Sequence, residues 1–202
     1  MTRRQFFDDR AGDWEERNPV DEARLARLLA AAELGPGLRV LDVGTGNGRL
    51  VPGILEATAP FGEVTALDPS ENMLAVARRR HPSPRVRWIR ANLEEFEGRP
   101  GEFHRIICHA VFPHFFDAGR ALGVAHRSLV PGGLLVIAHT VGRDRINARH
   151  EKAGGAVETD VLPPAGKLSD TLRRIGFHPE RVRDEPDFYL VTARRPSTTP
   201  TR

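Results

Sequence analysis

Short apolar runs alternate with amphipathic stretches along most of this chain. The apolar runs cover residues 39–43, 63–67, 85–89, 105–109 and 134–139, and the amphipathic stretches cover residues 48–57, 71–79 and 118–129. Repetition of a short buried strand and a helix predicts parallel strands joined by crossover helices. We therefore expect an α/β fold in which a doubly wound sheet carries helices on both faces.

A helical arm is predicted ahead of the first strand, over residues 1–34. Apolar side chains recur there at helical spacing, namely Phe6, Phe7, Trp14, Leu25, Leu28 and Leu29. Asn18-Pro19 interrupts the run, so we expect two helical pieces, with Asn18 or Asp21 as the N-cap of the second.

The end of the chain predicts a last helix and a closing hairpin. The helix covers residues 165–175 and is ended by Gly176, and the hairpin strands cover residues 177–183 and 188–193. We expect a single domain over residues 1–195, followed by a disordered tail over residues 196–202.

A polar segment, residues 141–164, separates the fifth strand from the last helix. It begins at the edge of the sheet where ligands of open α/β folds bind. We interpret it as a lid-like insertion, and its polarity favours a polar acceptor molecule. A solvated connection without a role in binding is the alternative.

The most informative stretch is residues 40–48, where an apolar run meets glycine at every second position. It predicts a buried strand, a tight turn and the start of a helix. Glycine lets a ligand approach the backbone closely, and free N–H groups at a helix start favour an electron-rich group. The dinucleotide fingerprint places its third glycine one residue later, and Asp42 would repel a pyrophosphate. An NAD(P)-dependent oxidoreductase is therefore the less favoured alternative to a cationic nucleoside with few phosphates.

A second acidic residue, Asp68, ends the next apolar run. The carboxyl ends of parallel strands meet at one edge of the sheet, so Asp68 is predicted to lie beside the glycine turn. A carboxylate that accepts hydrogen bonds from two hydroxyl groups suits a ribose, and each such bond contributes roughly 1.5–3 kcal/mol. The glycine turn with this acidic residue is a stronger indication of a nucleoside than the turn alone.

Five blocks of sequence resemble the class I S-adenosylmethionine-dependent methyltransferases. They are residues 40–48, 67–74, 86–95, 103–109 and 129–137. The resemblance implies a Rossmann-like fold with a mostly parallel seven-stranded sheet, and S-adenosylmethionine as the cofactor, with S-adenosylhomocysteine as its product. It also implies direct in-line methyl transfer to a small molecule. A non-catalytic S-adenosylmethionine-binding regulator or partner subunit is an alternative.

The resemblance assigns cofactor contacts residue by residue. They fall on Asp42, Gly44, Gly46, Gly48, Asp68, Met73, Asn92, Leu93 and His109. The glycines would wrap the amino-acid portion of the cofactor with Asp42 near its ammonium group, and Asp68 would hold the ribose hydroxyl groups. Met73 and Leu93 would lie on the two sides of the adenine. Asn92 stands where the family often has aspartate, so its contact with the adenine amino group loses a charge.

Histidines are predicted where the methyl group would react. His109 and His139 end the fourth and fifth strands, His114 follows in an adjacent loop, and His150 lies in the predicted lid. A phenol, alcohol or protonated amine must lose a proton, and histidine is suited to accept it near neutral pH. We rank His139 first as the base and His114 next, while the resemblance places His109 opposite the methyl group. Structural histidines, or a zinc site built from two or three of them, are alternatives, although no compact metal spacing supports the zinc site.

Composition and two sequence features restrict the acceptor further. Family members that methylate amide or exocyclic amino nitrogens carry Asn/Asp-Pro-Pro-aromatic after the fourth strand, whereas this chain has His109-Ala110-Val111-Phe112. The net charge is +3 with positive and negative residues interspersed, which disfavours a nucleic-acid partner. One cysteine and no membrane-spanning stretch among the 202 residues favour a cytoplasmic protein.

Overall fold

The computed structural model describes residues 2–197 and contains a seven-stranded sheet. The strands are β1 (Arg39–Val43), β2 (Glu63–Asp68), β3 (Val86–Arg90), β4 (Phe103–His109), β5 (Leu129–His139), β6 (His178–Glu185) and β7 (Phe188–Arg194). Their order is β3-β2-β1-β4-β5-β7-β6. β7 runs antiparallel to β5 and β6, and the other pairings are parallel. The predicted mostly parallel α/β sheet is confirmed.

Helices cover both faces of this sheet. They are α1 (Arg3–Asp8), α2 (Trp14–Arg17), α3 (Glu22–Ala31), α4 (Val51–Ala57), α5 (Glu71–Arg80), α6 (Ala118–Ser128), α7 (Arg143–Ala153) and α8 (Ala165–Ile175). Leu122 of α6 joins the apolar cluster that contains Leu41 of β1. Ile54 of α4 joins a second cluster, which contains Val40 of the same strand. Successive side chains of β1 point to opposite faces, so one strand contributes to both clusters.

Two boundaries differ from those predicted. α4 begins at Val51 rather than Gly48, because Gly48 has a φ of +86°, in the left-handed region that an α-helix cannot contain. Within its described part, the arm divides into α1, α2 and α3 rather than into two pieces. Asp21 is the N-cap of α3, since its carboxylate accepts from the N–H groups of Ala23 and Arg24 at 2.9 and 3.2 Å.

The polar segment over residues 141–164 contains a helix that the sequence did not predict. α7 buries Ile146, while Asp144 and Arg145 are exposed to solvent. A 3₁₀ turn follows at Gly155–Val157. The segment therefore has polar residues on both sides, since Asp144 and Arg145 face solvent and Asp160 is buried.

Two further sequence expectations concern the ends of the chain and membranes. The tail predicted over residues 196–202 lies outside the described residues from 198 onward. Between residues 2 and 197, no helix combines the length and the apolar character that crossing a membrane requires.

Candidate functional site

A cavity of about 1160 Å³ lies at the carboxyl ends of the central strands. Val43, Asp68, His109 and His139, which end β1, β2, β4 and β5, border it. Ligands of open α/β sheets bind at this edge. Residues of α1 and α7 also line the cavity, so the arm and the segment interpreted as a lid both contribute to its wall.

The glycine turn forms one part of that wall. The N–H of Gly46 donates to Asp68 Oδ2 at 2.9 Å, which fixes the turn against the end of β2. A Cβ on Gly44 would lie 2.5 Å from Val111 Cγ2, whereas a Cβ on Gly46 would meet no atom within 4 Å. Because Gly46 borders the cavity, its missing side chain leaves room for a ligand beside the turn.

Asp68 is held in a fixed orientation at the cavity wall. Its Oδ1 accepts from the Ser70 N–H at 2.8 Å, and its Oδ2 accepts from Gly46. Each carboxylate oxygen keeps a further lone pair, so two hydroxyl groups can still donate to it. Burial raises the pKa of Asp68 to about 6, the two backbone hydrogen bonds oppose this rise, and the negative charge of Asp8 adds to it. Asp68 therefore fits the predicted contact with a ribose.

Three other predicted cofactor residues border the same cavity. Met73 and Leu93 are buried apolar side chains on its wall. Asn92 donates its Nδ2 to Glu95 Oε2 at 3.2 Å, which leaves Oδ1 as an acceptor for a ring amino group. With Asp68 and the open space at Gly46, these groups fit the adenine nucleoside of S-adenosylmethionine.

Asp42 and Gly48 do not line the cavity. Asp42 is buried and accepts a hydrogen bond from Thr45 Oγ1 at 2.6 Å, and Thr45 is the residue that reaches the wall. Burial raises the pKa of Asp42 to about 7, the Thr45 hydrogen bond lowers it, and Asp68 raises it further. Asp42 therefore contacts the glycine turn through Thr45, on the side away from the cavity.

Four histidines, His109, His114, His139 and His150, border the cavity. The ring centroids of His114 and His150 lie 4.9 Å apart. Burial, and then the charge of Arg49, lowers the pKa of His109 to about 4. In the described part of the chain, no group of three or more His, Cys, Asp or Glu side chains is placed to hold a metal ion. The zinc alternative therefore finds no support in this arrangement.

His139, ranked first as a base from the sequence, is covered by its neighbours. Neither ring nitrogen is accessible to water, and neither has a hydrogen-bond partner among residues 2–197. The ring packs edge-to-face on Tyr189, with centroids 5.9 Å apart. Burial, followed by the nearby His109, His114 and His150, holds the pKa of His139 well below its ordinary value. A ring that resists protonation to this extent is a weak base near neutral pH.

His114, ranked second, has a carboxylate partner. Its Nδ1 lies 2.7 Å from Asp160 Oδ2, and Arg3 of α1 donates to the same carboxylate. The sequence did not identify Asp160 or Arg3 as site residues, because they are 157 positions apart and no local motif joins them. The polarity of the segment that contains Asp160 was the available signal.

A family model described as a methyltransferase domain matches residues 40–133. A demethylmenaquinone methyltransferase of Chlorobaculum tepidum is 31% identical over 175 residues, which cover 86% of this chain and 69% of that relative. A demethylmenaquinone methyltransferase of Thermus thermophilus is 37% identical over 101 residues, which cover 49% of this chain and 46% of the relative. Other curated relatives are matched over 28% to 58% of their own length, so this chain spans only a part of them.

Solved structures share this architecture. An S-adenosylmethionine-dependent methyltransferase of Mesorhizobium loti is 25% identical to this chain and superposes with a TM-score of 0.70. The match covers 84% of this chain and 96% of that protein. The likeness therefore extends well beyond residues 40–133.

Proposed function

This chain belongs to the class I S-adenosylmethionine-dependent methyltransferases, and we propose that it methylates a small molecule that carries a hydroxylated aromatic ring. One observation supports this proposal most strongly. One continuous cavity is bordered both by the residues that fit the nucleoside and by the four histidines. The wall formed by Gly46 and Asp68 would hold the cofactor, and the histidines would face the acceptor.

Apolar side chains on one part of the cavity wall suit an aromatic acceptor, although arginine and glutamate side chains also border the cavity. Apolar residues from the arm, from the loop after β4 and from the lid contribute to the wall, namely Phe7, Phe115, Val141, Ile146 and Val157. Asp144 and Arg145 of the lid are exposed, so they give no support to the polar acceptor expected from the sequence, whereas Arg149 and His150 of the same helix border the cavity. The demethylmenaquinone methyltransferases among the relatives are named for a quinone acceptor, which agrees with a ring-shaped molecule.

The protein itself has to position the two reactants and to accept a proton from the acceptor. When bound, S-adenosylmethionine supplies a methyl group on a positively charged sulfur atom that is neutral after transfer. Asp68 and the glycine turn fix the position of one reactant, and placing two reactants correctly contributes roughly 7–11 kcal/mol to lowering the barrier. A histidine accepts the proton of the acceptor's hydroxyl group, because the oxygen and the adjacent ring carbons become nucleophilic as that proton leaves.

Calorimetric titration tests the cofactor assignment. We expect S-adenosylhomocysteine to bind and NAD(H) not to bind, because the turn lacks the glycine spacing of dinucleotide sites and has Asp42 behind it. Binding of NAD(H) without S-adenosylhomocysteine would contradict the proposal. Radiolabelled S-adenosylmethionine then tests transfer to naphthohydroquinone, to catechol and to ethanolamine, an acceptor without a ring. Methylation of a ring acceptor is expected, whereas tight cofactor binding without transfer would favour the regulator alternative.

The affinity for S-adenosylhomocysteine is expected to fall about tenfold from pH 7 to pH 5. Burial raises the pKa of Asp68 to about 6, so its carboxylate loses the charge that attracts hydroxyl donors as the pH falls through that value. Unfolding does not account for this loss. A carboxyl group whose pKa is raised on folding stabilises the folded state increasingly as the pH falls toward its ordinary value of 3.8. Calorimetry across this range measures the effect, and Asp68→Asn should remove most of the pH dependence.

A further inference from the structure

A buried carboxylate, Asp160, connects three separate parts of the chain beside the cavity. Its Oδ2 accepts from Arg3 Nε of α1 at 3.1 Å, and Arg3 Nη2 pairs with Oδ1. The same Oδ2 lies 2.7 Å from Nδ1 of His114, in the loop after β4. The main-chain oxygen of Asp160 lies 2.6 Å from Nδ1 of His150 in α7. The side chain of Asp160 is 0% exposed, so water does not compete for these contacts.

These contacts determine which nitrogen of each ring carries the proton. Burial raises the pKa of Asp160, but hydrogen bonds from His114 and Arg3 outweigh it and hold the pKa below its ordinary value. Asp160 is therefore ionised near neutral pH and can only accept hydrogen bonds. Nδ1 of His114 must then be the donor, and Nε2 of the neutral ring carries the free lone pair. The main-chain oxygen imposes the same tautomer on His150.

His114 is also better placed than His139 to meet an acceptor. Its side chain is 14% exposed and borders the cavity, whereas both nitrogens of His139 are covered. Phe7 of α1 packs edge-to-face on the His114 ring, with centroids 5.2 Å apart. Two elements thus fix the ring, since Asp160 holds its Nδ1 and Phe7 packs against its plane.

We propose that Asp160, itself held by Arg3, is a positioning residue that keeps His114 in the tautomer whose Nε2 takes the proton of the acceptor's hydroxyl group. In this step the O–H bond breaks, its electron pair stays on the acceptor oxygen, and an N–H bond forms on Nε2. The resulting imidazolium lies next to the Asp160 carboxylate, whose negative charge stabilises it. Arg3, Arg149, His139 and His150 also border this part of the cavity, as does Glu94. The Glu94 carboxylate accepts from the N–H of Phe116 at 2.8 Å. The identity of the acceptor in this inference rests on the proposed function, whereas the tautomer of His114 does not depend on it.

The tautomer is measured first, on the full chain without added ligand. Histidine labelled with ¹⁵N gives long-range ¹H–¹⁵N spectra in which protonated and unprotonated ring nitrogens differ, and the spectrum of His114→Gln assigns the signal. We expect Nδ1–H in the unaltered protein and a shift of the population toward Nε2–H in Asp160→Ala. Asp170→Asn, which removes an exposed carboxylate paired with Arg173 on α8, is the control and should leave the spectrum unchanged. Observation of Nε2–H on His114 in the unaltered protein would overturn the inference.

Kinetics with radiolabelled S-adenosylmethionine and naphthohydroquinone provide the second measurement. His114→Ala and Asp160→Ala should each lower kcat, the former by roughly a hundredfold, with the KM for S-adenosylmethionine changed less than threefold. Arg3→Met should lower kcat by a smaller factor, because Asp160 keeps its contact with His114. If His139→Ala abolishes turnover and His114→Ala does not, the base is His139 and the inference is wrong. If S-adenosylhomocysteine does not bind at all, the proposed function fails, while the ring spectra still decide whether Asp160 sets the tautomer.

Discussion

Replacing Asp68 with alanine is expected to weaken S-adenosylhomocysteine binding by roughly a hundredfold while the fold is retained. The carboxylate has a free lone pair on each oxygen at the cavity wall, and its orientation is fixed by the N–H groups of Gly46 and Ser70. Loss of one hydrogen bond to a charged acceptor weakens binding by about 1.5–3 kcal/mol, which corresponds to roughly tenfold or more, and two such bonds are lost here. Calorimetry gives the affinity, and circular dichroism on heating gives the stability.

A matched control separates binding from folding in this experiment. Asp21 also accepts from two backbone N–H groups, at the start of α3, but it does not border the cavity. Asp21→Ala should cost about 1 kcal/mol of stability through loss of the helix cap and leave the affinity unchanged. Equal affinities for Asp68→Ala and the unaltered protein would show that the ribose assignment is wrong.

The second large effect is expected for Gly46→Ala. Gly46 has a φ of +56°, and a Cβ there would point into open space on the cavity wall. The methyl group would then overlap a nucleoside seated against the turn. Overpacking of this kind costs about 1–3 kcal/mol, so the affinity for S-adenosylhomocysteine should fall by roughly five- to a hundredfold.

Gly37→Ala is the control for backbone strain in that measurement. Gly37 has a φ of +76° and also has no atom within 4 Å of an added Cβ, but it lies away from the cavity. Both substitutions place alanine in the left-handed region and should lower stability by a similar amount, about 1–2 kcal/mol. If both variants lose affinity, backbone strain explains the effect, and the assignment of Gly46 to the cofactor wall is wrong.

Local sequence patterns explain why much of the fold and the cofactor side of the site were predictable. The alternation of apolar runs and helical stretches sets the strand and helix order, and the edge of a parallel sheet brings strand ends together. Asp68, Met73 and His139 could therefore be placed at one edge from their positions at the ends of predicted elements. The glycine turn could be recognised because its geometry depends on residues that are adjacent in sequence.

The acceptor side was less predictable because it depends on contacts between distant residues. Two features decide which histidine is the better base. Burial covers both ring nitrogens of His139, and Asp160 is a carboxylate partner for the ring of His114. Arg3 reaches that carboxylate from the other end of the chain. The amphipathic pattern of α7 is weak, since Ile146 is its buried residue, so helix formation there follows from packing rather than from periodicity.

Helix α1 is fastened at both of its ends. Asp8 accepts from the hydroxyl group of Ser70 at 2.5 Å, and its main-chain oxygen accepts from Asn72 Nδ2 at 3.1 Å, while Arg3 is bound to Asp160. Ser70 lies two residues after Asp68, in the turn that joins β2 to α5. A nucleoside bound at Asp68 would also restrict the motion of α1, which carries Arg3. Binding of the nucleoside would therefore favour binding of the acceptor. The affinity for the acceptor is therefore expected to rise once the nucleoside is bound, and the contacts of α1 with both sites would make the binding ordered and cooperative.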